Sequence, residues 1–235
     1  MSKEHVLITG AGQRLGLHCA KTLLEQGHDV TITYRSEKPG VNALRKLGAN
    51  CLYADFADDE GIQNCIESIK QNASRITAIV HNASTWSSDD TEKLGSIFDD
   101  MMQVHAKAPY MINYALEAHF RDSLTSITHI SDFVAEVGST KHTAYAASKA
   151  ALDNLTLSFA RKWAPSIRVN SISPSMIIFN EHDDANYREK ALKKSLMGIE
   201  PGEAVVTNTL LYLLENPYLT GQIISLNGGR NLNLP

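Results

Sequence analysis

Seven short runs rich in β-branched residues punctuate the chain, and longer segments of helical period separate them. The runs are HVLIT (5–9), DVTITY (29–34), NCLYA (50–54), ITAIVH (76–81), SITHIS (126–131), SIRVNSI (166–172) and QIISL (222–226). Apolar residues recur at helical spacing over 14–26, 41–48, 58–71, 92–119, 142–163 and 202–215. Parallel strands need crossover connections, and helices supply them. The alternation therefore predicts an α/β chain with a doubly wound, Rossmann-type fold: a seven-stranded, mostly parallel sheet with helices on both faces. Ligands of such sheets bind at the carboxyl ends of the strands.

A chain of 235 residues, 43% of them hydrophobic, can bury one sizeable core, so a single domain over 1–235 is expected. Lys and Arg number 22 against 26 Asp and Glu. A net charge of −4 argues against a phosphate-tracking surface for nucleic acid and leaves a small molecule as the expected partner. No run approaches the ~20 apolar residues of a membrane span, and MSKEHVLITG passes from charge directly into a strand, so no membrane, no export and a cytoplasmic location are expected. Cys19, Cys51 and Cys65 are odd in number and lack C-x-x-C spacing, which predicts neither a disulfide framework nor a metal site. The segment PSMIIFNEHDDANY (174–187) fits no element and lies before a short polar helix, as a substrate loop would.

The first strand ends in Thr9-Gly10-Ala11-Gly12-Gln13-Arg14-Leu15-Gly16 and runs into a helix. Glycines let backbone approach a pyrophosphate, which the helix N-terminus favours through its free N–H groups. The spacing G-x-G-x-x-x-G departs from the common dinucleotide fingerprint, and alone it is equally a structural turn. The second strand ends Thr33-Tyr34-Arg35-Ser36. An acid there would accept from the ribose of NAD; cationic and hydroxyl donors suit the 2′-phosphate of NADP, with Arg14 close by. NADPH is the expected cofactor, against the commoner fate of Arg35 as a plain surface arginine.

Tyr145 and Lys149 stand four apart on the 142–163 helix, where side chains at that spacing share a face ~5–6 Å apart at Cβ. An ammonium beside a phenol of pKa ~10 eases its proton donation. Alone, the pair is more often a packed tyrosine beside a solvated lysine. Joined by Thr9-Gly10-x-x-x-Arg14-x-Gly16, Asp55 after strand three, His81-Asn82-Ala83-Ser84 after strand four and Gly228-Gly229 near the end, it takes another meaning. Over essentially its full length the chain resembles the short-chain dehydrogenase/reductase family. The resemblance implies that Tyr145 donates the proton, and that Lys149 binds the nicotinamide ribose and lowers the tyrosine pKa. It places Asp55 and Phe56 beside the adenine, Asn82, Ala83 and Ser84 along the cofactor, and Pro174 and Ser175 near the nicotinamide, in what is commonly a homotetramer.

Three positions depart from the family pattern: Arg14 replaces a glycine, Asp132 a serine and His105 an asparagine that holds a water chain to the lysine. Arg14, Asp132 and the sequence Asn82-Ala83-Ser84-Thr85-Trp86 resemble the pteridine reductase branch. HNASTW, MMQVHAKAPY, AYAASKAALDN and FNEHDDANYREKALKKSLM resemble a bacterial subgroup of that branch acting on 7,8-dihydromonapterin and dihydrofolate. The reaction so implied is NADPH-dependent reduction of a dihydropterin C=N bond. Trp86 would stack on the pterin, Asp132 orient it and pass a proton, and Arg14 contact cofactor phosphate and pterin carbonyl, with Ser84 and Tyr145 also at the substrate. The run Glu181-His182-Asp183-Asp184 would repel anionic folates and so favour neutral pterins, with dihydrofolate the weaker substrate. Two alternatives remain: a carbonyl or ketoacyl reductase of the same fold, disfavoured by Arg14 and Asp132, and a non-catalytic NADP-binding protein, disfavoured by Tyr145 and Lys149.

Overall fold

The computed structural model describes residues 3–233. Val6, Leu7 and Ile8 of β1 (His5–Ile8) are all fully buried although successive side chains of a strand point to opposite faces. Both faces of the sheet are therefore covered. Leu7 packs with the layer of α3 (Asp59–Asn72), α5 (Ala108–His119) and α7 (Thr143–Trp163); Val6 and Ile8 pack with α1 (Arg14–Glu25), α2 (Pro39–Lys46) and α9 (Ala204–Glu215).

The remaining strands are β2 (Asp29–Tyr34), β3 (Asn50–Tyr53), β4 (Ala78–His81), β5 (Ser126–Ile130), β6 (Arg168–Pro174) and β7 (Ile223–Leu226). Their order is β3-β2-β1-β4-β5-β6-β7, and every pairing is parallel. The winding reverses between β1 and β4, which opens a crevice above their carboxyl ends. The turn after β1 closes tightly on β4: a Cβ on Gly10 would stand 2.7 Å from Ala83 Cα, and one on Gly16 2.5 Å from Asn82 Nδ2. Asn82 N–H and Ala83 N–H both donate to Thr9 Oγ1 at 3.0 Å, and Asn82 Nδ2 donates to the carbonyls of Thr9 and Gly10.

The expected elements all form, with three differences. The segment expected as one helix over 92–119 is α4 (Leu94–Met102), a π-turn at Gln103–Lys107, and α5. Pro109 has no N–H to return to the His105 carbonyl, and the widened turn falls immediately before it. A one-turn helix, α6 (Val134–Val137), forms in the loop after β5, and α8 (Ala185–Leu192) overlaps the end of the expected 174–187 loop.

Beneath the β4–β5 ends a buried polar chain crosses the layers. His81 Nε2 donates to Asn113 Oδ1 (2.7 Å), Asn113 Nδ2 donates to His129 Nε2 (3.2 Å), and His129 Nδ1 donates to Thr156 Oγ1 (2.7 Å). Burial lowers the pKa of both imidazoles, that of His81 to about 4, so every member is satisfied in its neutral form. Among the described residues no helix is long and apolar enough to cross a membrane, and no three His, Cys, Asp or Glu side chains cluster as metal ligands.

Candidate active site

Along the carboxyl ends of the strands run two cavities that share Gly10, Gln13 and Ser84. The one over β2 and β3, of about 140 Å³, gathers Tyr34, Arg35, Ser36, Asp55, Phe56 and Ala83. The other, of about 390 Å³ over β4 to β6, gathers Arg14, Leu15, Asn82, Trp86, Asp132, Tyr145, Lys149, Pro174 and Ser175. Residues named from seven separate stretches of sequence thus line one continuous cleft.

At the β2 end Arg35 and Ser36 are exposed, and Lys38, which sequence reading passed over, joins them with its Nζ donating to Gln13 Oε1. The acid in that stretch, Glu37, is drawn to Arg45 at 3.1 Å. Donors rather than carboxylates face this end of the cavity, and they suit a phosphate.

In the larger cavity Tyr145 and Lys149 lie on one face of α7. Tyr145 Oη donates to Asp132 Oδ2 at 3.0 Å. Lys149, 2% exposed, donates Nζ to the Ile130 carbonyl at 2.9 Å and lies 5.7 Å from the Tyr145 ring centroid. The expectation that the lysine lowers the tyrosine pKa is not met. Burial first, and then the adjacent Asp132 charge and hydrogen bond, hold the Tyr145 hydroxyl well above the ordinary phenol range. The reason is geometric: the carboxylate touches the hydroxyl, whereas the ammonium is bonded to a backbone carbonyl. Burial likewise raises Asp132, against the Val134 N–H, Lys149, Tyr145 and Arg230, and lowers Lys149 to about 8, against Asp132 and Asp153. The result is a site that keeps a proton on its phenol.

His105 occupies the π-turn, and both ring nitrogens are engaged. The Thr85 N–H can only donate, so Nε2 is the acceptor (3.2 Å), with Ser84 Oγ 2.8 Å from the same atom. Nδ1 therefore carries the hydrogen and donates to Ser148 Oγ (2.8 Å), which donates in turn to the Tyr145 carbonyl (2.7 Å). The imidazole meets the Tyr145 ring edge-on at 5.3 Å. Burial and then the Lys149 charge push its pKa down to about 2.

Arg14 has φ +52°, a left-handed conformation that favours glycine, in keeping with the glycine that the family resemblance leads one to expect there. Its guanidinium donates to Asn180 Oδ1 (2.6 Å) and the Ile178 carbonyl (3.5 Å), tying the phosphate turn to the 174–187 segment. Trp86 is 65% exposed, with its ring 4.5 Å from His142, and so forms a wall of the cavity rather than a core anchor. Arg230, also unforeseen, donates to Ser175 Oγ at 2.9 Å and lies over the Phe133 ring. The acidic run does not line the cleft. Asp183 accepts from Asn180 N–H, and Asp184 caps α8 by accepting from Tyr187 N–H.

A family model of short-chain reductases, described as Enoyl-(Acyl carrier protein) reductase, matches residues 10–231. The chain belongs to the short-chain dehydrogenase/reductase family. Two family members are similar over nearly the whole length: a dihydromonapterin reductase of Enterobacter sp. (strain 638), 50% identical with 97% of each chain covered, and one of Klebsiella pneumoniae, 48% identical with 97% and 96% covered. Among solved structures, the FolM alternative dihydrofolate reductase 1 of Brucella canis complexed with NADP superposes at a TM-score of 0.86. It is 26% identical and covers 99% of this chain and 95% of its own. The Brucella suis protein, also with NADP, gives 0.84 at 27% identity. This short-chain dehydrogenase/reductase carries Tyr145 and Lys149 on α7, with Asp132 in hydrogen-bond contact with the tyrosine hydroxyl.

Proposed function

We propose that the protein is a cytoplasmic, NADPH-dependent reductase of 7,8-dihydropterins, converting 7,8-dihydromonapterin to tetrahydromonapterin and, more weakly, dihydrofolate to tetrahydrofolate. The observation that carries the reading is the Tyr145–Asp132 hydrogen bond at the floor of the larger cavity. A ketone needs one proton donor, whereas a pterin edge bearing an amino group and ring N–H groups also needs an acceptor. The names of relatives near half identity support the same chemistry.

The cleft fits a dinucleotide: backbone at Gly10 comes too close to Ala83 for any side chain, and Arg35, Ser36 and Lys38 offer donors where a 2′-phosphate would lie. When bound, NADPH supplies hydride, which a dihydropterin accepts at C6. The chain's own residues do the remainder. Trp86 offers an aromatic face to one side of the heterocycle. Tyr145 holds the proton that the ring nitrogen N5 takes up, and Asp132, in contact with Tyr145 Oη, then takes a proton from solvent and passes it to the phenolate. Lys149 binds the nicotinamide ribose through its ammonium. Asn82, Ala83 and Ser84 line the cofactor, Pro174 and Ser175 its nicotinamide end, and Arg14 braces the substrate loop 174–187 over it. We assign the exposed Tyr110, Tyr114 and Leu157 on α5 and α7 to contacts between copies in a homotetramer.

The reading is tested by following NADPH absorbance with dihydromonapterin, dihydrofolate and a simple ketone in parallel. Oxidation is expected with both pterins, faster with dihydromonapterin; turnover of the ketone alone would reject a pterin reductase, and turnover of none would favour the non-catalytic alternative. For the cofactor, Arg35→Ala is expected to raise KM for NADPH by about tenfold or more, the worth of one charge-assisted contact, with KM for NADH nearly unchanged. Equal weakening of both would remove the 2′-phosphate from the argument.

A further inference from the structure

A third cavity, of about 330 Å³, shares Ser175, Met176 and Ile177 of the 175–177 ribbon with the reaction cleft. Tyr187, Met197 and Ile199 give it an apolar lining, although these side chains are 53%, 65% and 54% exposed. Two cations, Lys194 and Arg230, complete it. Arg230 is held by Ser175 Oγ, whereas the Lys194 ammonium has no ion pair or hydrogen bond among the described residues. The wall is built rather than draped. Met197 N–H donates to the Gly228 carbonyl, and Asn233 Nδ2 donates to the Lys193 carbonyl. A Cβ on Gly228 would stand 3.2 Å from Ser195, and one on Gly229 3.0 Å from Leu196. The glycine pair near the end of the chain thus seats the 194–199 segment.

An apolar trough with two cations and no carboxylate in its lining is complementary to an aromatic acid. The acids nearby are turned to other donors: Glu189 to Lys193 at 2.6 Å, Glu200 to the Phe179 N–H, and Asp183 and Asp184 to backbone N–H groups. On the reading of the cleft as a pterin site, the substituent of the substrate leaves the ring at C6, the atom that is reduced, and so begins beside the 175–177 ribbon. We propose that this groove receives the aminobenzoyl-glutamate tail of dihydrofolate, its ring against Tyr187, Met197 and Ile199 and its carboxylates toward Lys194 and Arg230. The short neutral polyol of dihydromonapterin does not extend to it. The groove therefore sets the chain's tolerance for an anionic substrate, counter to the repulsion expected from the acidic run.

The test is kcat/KM for both pterins in the wild type, Lys194→Glu and Met197→Asp, both substitutions lying at exposed positions. Reversing the Lys194 charge is expected to lower kcat/KM for dihydrofolate by about tenfold, through KM, and to leave dihydromonapterin within about twofold. Met197→Asp should act in the same direction, and added salt should raise KM for dihydrofolate only when Lys194 is intact. Parallel losses on both pterins would assign these residues to the loop in general, and no loss on either would send the tail elsewhere; both outcomes overturn the proposal. A wild type that reduces neither pterin would instead overturn the reading on which it rests.

Discussion

Tyr145→Phe is expected to lower kcat for dihydromonapterin by a factor of about 10³, within the range that a positioned general acid contributes, while Kd for NADPH changes little. The substitution removes one oxygen and keeps the ring, so the edge-on contact with His105 and the packing of α7 persist. What disappears is the proton held 3.0 Å from Asp132. Because burial and Asp132 hold that hydroxyl protonated at every ordinary pH, it is loaded for donation, and the loss should not be recovered by acidifying the assay. Stopped-flow measurement of NADPH oxidation together with fluorescence titration of NADPH separates the two quantities. Turnover near that of the wild type would remove tyrosine from the mechanism, and loss of NADPH binding would point to damaged architecture.

Asp132→Asn is expected to cost about 10² in kcat and to change the pH profile, since an amide keeps an acceptor for Tyr145 but cannot return a proton. The sign follows from the direction of the shift. Burial raises the carboxyl pKa, so the protonated form that refills Tyr145 persists to higher pH than for a solvated aspartate, and activity falls as pH rises through that raised value. The variant should lack this descending limb. If the limb instead remains, near pH 8, it belongs to Lys149, whose pKa burial has lowered to about that value. Profiles of kcat/KM at saturating NADPH distinguish the two.

What the sequence discloses depends on how local its cause is. The alternation of β-branched runs and helical segments places all seven strands, because burial on both faces of a sheet writes itself into consecutive residues such as Val6-Leu7-Ile8. Spacing puts Tyr145 and Lys149 on one helix face, and the distant glycine turn and Asn82 motif give the pair its meaning. Arg14 and Asn180 cannot: they are 166 positions apart, and neither residue announces the other. Arg230 and Lys38 escaped for a similar reason, as surface cations one or two positions beyond the recognised stretches. The four residues of α6 are too few for a period to be visible. The sign of the Tyr145 shift is not written in the spacing, because it turns on burial and on the loop after β5, which sets Asp132 against the hydroxyl.

The neutral His105 has a bearing on how variants of Lys149 should be interpreted. An asparagine at that point would carry an amide that never gains a proton, but an imidazole must be kept from doing so, since its single lone pair is all that receives the Thr85 N–H. After burial, the charge that does this is Lys149. A lysine-to-methionine variant would therefore lose more than the ammonium and its proposed contact with the ribose: with the cation gone, His105 becomes more basic, and the fastening between the strand-four loop and α7 becomes more sensitive to acid. Part of any defect attributed to the missing ammonium would then be a misalignment two residues removed from it in the contact chain, inherited from the choice of histidine.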